Sequence, residues 1–310
     1  MQRTGIILDE HFAKHDPGTG HPESPDRFYA IARRLAENGI SANIPLRTAT
    51  HGELRLVHSE KYLHRVEEDT AMGQFVLSTG DTSICRHSAE VARCAVGSVL
   101  NAVDAVMEGR FANAFCAVRP PGHHATPNRG MGFCIYNTIA IAARYAQKQH
   151  GIARVLIVDW DVHHGNGTQD TFYEDDSVFF FSTHQHPMYP GTGQAAKIGD
   201  GRGIGFTQNH PLPAGSGKKE IFNAFDSALW PRMEEFQPEI ILISAGFDSH
   251  WGDPLGGFTL EDEDFAEMTR RLLDLADRFA SSRVLSVLEG GYHLEHLANS
   301  VLAHVLALRG

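Results

Sequence analysis

Cysteine is scarce, with four residues in 310, at positions 85, 94, 116 and 134, and none in Cys-x-x-Cys spacing. That pattern suggests neither a disulfide framework nor a thiolate metal site, and it leaves reduced thiols in apolar or helical surroundings. Long hydrophobic runs are also missing: nothing approaches the roughly 20 apolar residues of a membrane helix. The opening MQRTGIILDEHF carries a positive charge but no extended apolar segment, so it reads as a first strand rather than a leader. An intracellular, cytoplasmic protein with no membrane partner is expected. Basic residues are outnumbered, 27 Lys and Arg against 38 Asp and Glu, for a formal charge of −11. Such a balance argues against direct nucleic-acid binding and is compatible with cationic substrates. No repeat, low-complexity tract or charged linker divides the chain, so one domain over residues 1–310 is expected, its oligomeric state left open.

Histidine, by contrast, is plentiful at 19 copies, many beside Gly, Pro or Asp. Short apolar runs recur at Gly5–Leu8, Ala114–Val118, Val155–Val158, Val178–Phe181, Ile240–Ile243 and Val284–Leu288. Each has the length of a strand buried on both faces. Helical patterns lie between them. Ser88 can N-cap a helix to about Gly109, with a small-residue stripe of Cys94, Gly97, Ser98, Asn101 and Ala105. Thr259-Leu-Glu-Asp262 resembles a capping box opening a helix to about Ala280. Alternating strands and helices predict an α/β fold with a parallel sheet flanked by helices.

Ligands in such sheets bind at the carboxyl ends of strands. Five of the predicted exits read RPPGHHA, DWDVHHGNG, STHQHPMYPGTG, SAGFDSHWGDPLGG and EGGYH, all rich in His, Asp, Tyr and Gly. In an extended segment Asp159, Asp161 and His163 share one side, with Trp160 and Val162 opposite. On its own that triplet could be a solvated turn. With Asp248 from the SAGFDSH exit, Asp161 and His163 make three ligands with an open position, as catalytic zinc requires. Ferrous iron or cobalt could also occupy an N/O site of this kind. The adjacent His123 and His124 each need an orienting partner, and Asp159 and Asn166 are available. A carboxylate partner raises a histidine's pKa and a neutral amide does not, so the pair can divide base and acid roles. Tyr292 could donate to a carbonyl oxygen as it becomes an oxyanion. These parts together describe amide hydrolysis.

RPPGHHA, GFCIYN, DWDVHHGNGTQ, SAGFDSHWGDPLGG and LEGGYH, in this order and preceded by HPESPDR at 21–27, resemble the zinc-dependent histone deacetylase superfamily. The likeness is to its class II branch and to bacterial histone-deacetylase-like amidohydrolases. It implies the arginase/deacetylase fold, one domain around an eight-stranded parallel sheet. It also implies one Zn2+ held by Asp161, His163 and Asp248, with His123, His124, Asp159, Asn166 and Tyr292 as catalytic residues and His124 as proton shuttle. Gly132, Phe133 and Tyr189 correspond to the walls of a substrate channel, Leu255 to its gate and Asp81 to a rim residue that holds the substrate backbone. The family usually has Phe where this chain has Tyr189. Structural K+ is implied at Asp159 and Ser182, and at a second site of Phe172, Asp175 and Val178. Arg27 resembles a basic residue near an inner product channel; a surface arginine at a helix start is the plainer reading. His164 is expected to pack behind the site.

The implied reaction is removal of acetyl or another short acyl group from a protein or peptide lysine. An acetylpolyamine amidohydrolase is the main alternative, with acidic residues of a partner subunit or of a 64–81 loop (Glu67, Glu68, Asp69) meeting a distal ammonium, although Leu255 at the gate is apolar. An acyl-lysine-binding module without activity is less well matched, because no ligand is lost and Tyr292 is present. A binuclear manganese enzyme of the arginase type would need further carboxylates at Gly165 and His250.

Overall fold

The apolar runs form strands with little adjustment: β1 (Thr4–Ile7), β2 (Asn113–Cys116), β3 (Val155–Asp159), β4 (Val178–Gln185), β6 (Ile240–Ala245) and β7 (Val284–Leu288). Between β4 and β6 runs β5 (Thr207–Leu212), whose sequence TQNHPL has no apolar pattern to reveal it. In this computed structural model, residues 4–310 are described; Met1 to Arg3, part of the expected first strand, lie outside. All pairings are parallel, in the order β1-β2-β7-β6-β3-β4-β5. β-Branched and aromatic side chains alternate to opposite faces, and both faces are covered. Val155 and Ile157 join one buried cluster, Leu156 and Val158 the other.

The described residues give seven strands rather than the eight implied by resemblance. At the β1 edge the backbone groups are satisfied without another strand. Asn43 accepts from the Ile6 amide through Oδ1 (2.7 Å) and donates Nδ2 to Thr4 O (3.0 Å), while Asn43 N and Ile44 N donate to Ile6 O. An edge capped in this way offers no ladder to extend.

The described residues also form ten α-helices: α1 (Asp26–Glu37), α2 (His51–Leu54), α3 (Glu60–Ala71), α4 (Ser88–Met107), α5 (Thr138–His150), α6 (Asn166–Phe172), α7 (Lys218–Ala224), α8 (Trp230–Phe236), α9 (Asp262–Phe279) and α10 (Leu294–Arg309). The stripe on α4 packs against residues 45–49, where Ser98 Oγ accepts from Arg47 N and Asn101 donates to Pro45 O. Two predicted starts move. Ser88 is the first helical residue and His87 the cap; the Ser88 hydroxyl instead accepts from Cys85 N and faces His15. Glu261, not Thr259, stands at the start of α9, its N–H donating to Asp264 Oδ2 (3.1 Å), while Thr259 Oγ1 donates to Ser216 O. The supposed 64–81 loop is helical through Ala71. There Asp69 is buried and accepts from Ser78, Glu68 lies against His64 and Glu67 against Arg93. No described helix is long and apolar enough to cross a membrane.

Candidate active site

The five exits singled out in the sequence leave five neighbouring strands, β2, β7, β6, β3 and β4, so they meet along one rim. β3 itself stops at Asp159, and the expected extended alternation through His163 does not occur. Turns replace it. Asp161 N donates to Asp159 Oδ1 (3.2 Å), and His163 N donates to Asp161 Oδ1 (2.9 Å). Asp161 and His163 still reach one side, while Trp160 and Val162 enter the core behind them.

From β6, Asp248 arrives opposite. His163 Nδ1 lies 3.0 Å from Asp161 Oδ1 and 3.3 Å from Asp248 Oδ2. One potential ligand atom from each residue falls within 4.8 Å of the other two, and all three residues are buried. Asp248 Oδ1 accepts from Val162 N (2.9 Å), yet its Oδ2 has no hydrogen-bond partner. Burial raises the Asp248 pKa to about 7, and the neighbouring Asp161 charge adds to the rise. His163 is pushed up to about 10 because the two carboxylates outweigh its own desolvation. Two buried carboxylates, one with an orphaned oxygen, fit a divalent cation. The loop after β7 closes over them: Gly290 N donates to Asp161 Oδ2 (2.9 Å), and a Cβ at Gly290 would fall on both carboxylates. At Gly165 a Cβ would meet the Asp159 carboxylate, leaving no room for the further ligand of a binuclear centre.

His123 Nδ1 lies 3.0 Å from Asp159 Oδ2, and His124 Nδ1 lies 2.9 Å from Asn166 Oδ1. Asn166 Nδ2 points to His124 O and Met131 Sδ, so its oxygen faces the ring. Asn166 therefore accepts from Nδ1–H, leaving His124 Nε2 with the lone pair. Burial opposes charge on both rings, but Asp159 and Asp161 carry His123 well above the ordinary range. His124 has burial and the charges of His123 and His163 against it, and is held well below. The two histidines thus differ in the predicted sense.

A cavity of about 580 Å³ opens onto this centre. It is lined by His124, His163 and Tyr292 and by Gly132, Phe133, Tyr189, Leu255 and Asp81, the residues that the resemblance assigns to channel and rim. Gln185 and Met188 also line it; the sequence singled out neither. Asp81 is the one Asp or Glu on the lining, so Glu67, Glu68 and Asp69 do not supply an acidic mouth.

Behind Tyr292, Arg27 is fully buried, which overturns the reading of a surface arginine. Its guanidinium donates to Gly291 O (2.7 Å), Glu289 O (2.5 Å) and Glu23 (3.0 Å), and lies 5.1 Å from the Tyr292 ring. Glu23 also accepts from the buried Arg119 and lies 3.2 Å from His15 Nε2. Glu289, the glutamate of LEGGYH, lies beneath the histidine-bearing turn. Its carboxylate accepts from Gly122 N, His123 N and Ser244 Oγ, and so fixes the turn that presents the histidines. A second convergence, of His123, Cys134 and Glu289, shares these groups. Burial keeps the Cys134 thiol well above its usual pKa, so it is poorly suited to metal.

His164 packs behind the site, facing Thr192 Oγ1 (2.7 Å) and Gln169 Oε1 (3.1 Å). Asp159 and Ser182 are buried register partners across β3 and β4. Phe172, Asp175 and Val178 belong to the α6–β4 connection, where the Asp175 carboxylate faces Arg144 and Ser177.

Comparison with known proteins agrees with this architecture. The histone deacetylase domain matches residues 21–308. A "Probable deacetylase" of Archaeoglobus fulgidus is 41% identical over 298 residues, covering 94% of this chain and 82% of the relative. Human "Polyamine deacetylase HDAC10" is 42% identical over 302 residues, 93% of this chain but 44% of that protein. The crystal structure of the HDA15 HD domain superposes with a TM-score of 0.94 at 38% identity, covering 100% of this chain and 90% of that one. With the family match spanning nearly its whole length, the chain belongs to the histone deacetylase family, whose members are zinc-dependent hydrolases of acetyl amides.

Proposed function

We propose that this protein removes acetyl or other short acyl groups from the lysine side-chain amide of proteins or peptides. One observation carries the reading: a cavity lined by two aromatic side chains, Phe133 and Tyr189, is also lined by His163, His124 and Tyr292. A slim alkyl stem fits between the rings and delivers its amide to the centre. Asp161, His163 and Asp248 would hold one Zn2+. When bound, the ion supplies Lewis acidity that polarises the acyl carbonyl and acidifies water.

The chain's own residues do the remainder. Neutral His124 accepts a proton from the attacking water at Nε2 and returns it to the leaving lysine amine. His123, charged and held by Asp159, keeps a positive field beside the reacting carbonyl. Tyr292 donates its phenol O–H to the acyl oxygen as negative charge develops there. Lysine and acetate, or another short acid, result. Asp159 and Ser182 are assigned to one structural K+, and Phe172, Asp175 and Val178 to a second through mainly backbone oxygens.

Deacetylation of a polyamine is the second reading, favoured by the relationship to a polyamine deacetylase and by Asp81 on the rim. Turnover of acetyl-lysine peptides, longer acyl-lysines and acetylated polyamines by one metal-quantified preparation tests the choice. Higher kcat/KM on acetyl-lysine peptides is expected. A clear preference for the polyamine would overturn the reading.

A further inference from the structure

Three of the loops that line the cavity are tied together by a single carboxylate. Asp81, between α3 and α4, accepts from Gly132 N through Oδ1 (2.8 Å) and from the Tyr189 hydroxyl through Oδ2 (3.0 Å). Gly132 precedes one aromatic wall, Phe133; Tyr189 is the other. Gly132 and Phe133 both have positive φ, 57° and 66°, and Phe133 pays a steric cost there that the surroundings must hold. A Cβ at Gly132 would collide with the His124 ring, so this turn lies directly against the histidine pair.

Each wall then reaches the reaction centre. The Phe133 ring stands 5.9 Å from Tyr292 and 4.6 Å from His21. Tyr189 stands edge-on to His124 at 5.2 Å and 6.4 Å from His163. At its base the Tyr189 loop is tied by Thr192 to His164. At its tip the phenol hydroxyl on Asp81 is the side-chain tie across the mouth, and Tyr189 is 38% exposed. An exposed bond of this kind is weak enough to open and directional enough to set a distance.

We propose that Tyr189 is a specificity-determining residue whose hydroxyl latches onto Asp81 and sets the spacing of the two aromatic walls. The closed latch admits a slim linear acyl-amine stem and disfavours broader ones. The proposal rests on the acyl-amide channel described above and extends it: discrimination by stem width resides in a side-chain hydrogen bond, not in ring packing alone. Asp81 then acts as a positioning residue for both walls, in addition to any contact with substrate.

Tyr189→Phe keeps the ring and deletes only the latch. For an acetyl-lysine peptide, kcat/KM should fall about 3- to 10-fold, the scale of one partly exposed hydrogen bond, with the loss carried by KM rather than kcat. Selectivity for acetyl-lysine over an acetylated lysine analogue with a branched stem should narrow by a similar factor. In an Asp81→Ala background the Tyr189→Phe change should have little further effect, because the partner is gone. Affinities of a linear and a linker-branched alkyl hydroxamate provide the same comparison without turnover. Unchanged KM, selectivity and hydroxamate preference in Tyr189→Phe would overturn the latch, as would an undiminished effect in the Asp81→Ala background. Wild-type inactivity on acetyl-lysine would instead overturn the substrate reading, and the hydroxamate comparison would still decide the latch.

Discussion

Glu23→Gln is the most demanding test of how the fold supports the site. The Glu23 carboxylate is fully buried among three cationic or protonatable groups. It accepts from Arg27 Nη1 (3.0 Å), Arg119 Nε (2.5 Å) and Arg119 Nη2 (2.8 Å), and lies 3.2 Å from His15 Nε2. Although burial alone would raise its pKa, Arg119 foremost and then His15 and Arg27 hold it below the ordinary carboxylate range. Glutamine preserves the volume and one acceptor oxygen but leaves two buried guanidinium ions without their counter-charge. Removing one partner of a buried ionic group costs about 3–5 kcal/mol. Folded domains have roughly 5–15 kcal/mol in total, so the variant should fold with a much reduced margin.

The effect should also reach the site, because Arg27 holds the backbone carbonyls of Glu289 and Gly291 beside Tyr292. Urea unfolding followed by circular dichroism should show the midpoint falling with an unchanged slope, alongside reduced kcat in native buffer. A loss below about 1 kcal/mol would show that the arginines find other compensation, and the proposed support of the Tyr292 loop would fail.

Tyr292→Phe should lower turnover by about 10²–10³, the scale for one oxyanion donor, while melting behaviour and metal content stay as in the parent. Near-parental turnover would remove Tyr292 from its assigned role. Asp248→Asn should weaken zinc retention, measured by metal analysis after dialysis against a graded chelator; undiminished retention would place the ion elsewhere. His304 is buried between Thr269 Oγ1 and Ser286 Oγ, and burial lowers its pKa to about 3. The unfolded chain, with an ordinary pKa near 6.5, binds the proton first, so stability is lost as pH falls below about 7. From pH 7 to 5 the parent should lose about 2 kcal/mol more than His304→Gln. Equal losses in the two proteins would sink that assignment.

Much of the fold was legible because strands buried on both faces leave unbroken apolar runs, as at Val155–Val158 and Val284–Leu288. β5 was not, since TQNHPL lies at the sheet edge and has only β4 to pair with. Helix starts shifted at Ser88 and Glu261 because several nearby polar residues could cap, and tertiary partners chose among them. Trp160 and Val162 faced the core as expected, although turns rather than a continuing strand put them there. Arg27, read locally, is a charged residue opening an amphipathic helix; its burial depends on Glu23 from before the helix and on two carbonyls more than 260 residues away.

Sequence alone determined the residue types at the strand exits, the parallel α/β class and the family resemblance, because periodicity and motif order are local properties of the chain. Only the tertiary structure decided which exits are neighbours. Strand order brings Asp248 within reach of His163, and Glu289 beneath the turn bearing His123. It likewise brought Asp81 and Tyr189, 108 residues apart, to one hydrogen bond across the channel mouth. Such contacts are set by the packing of whole elements, and no spacing along the chain encodes them.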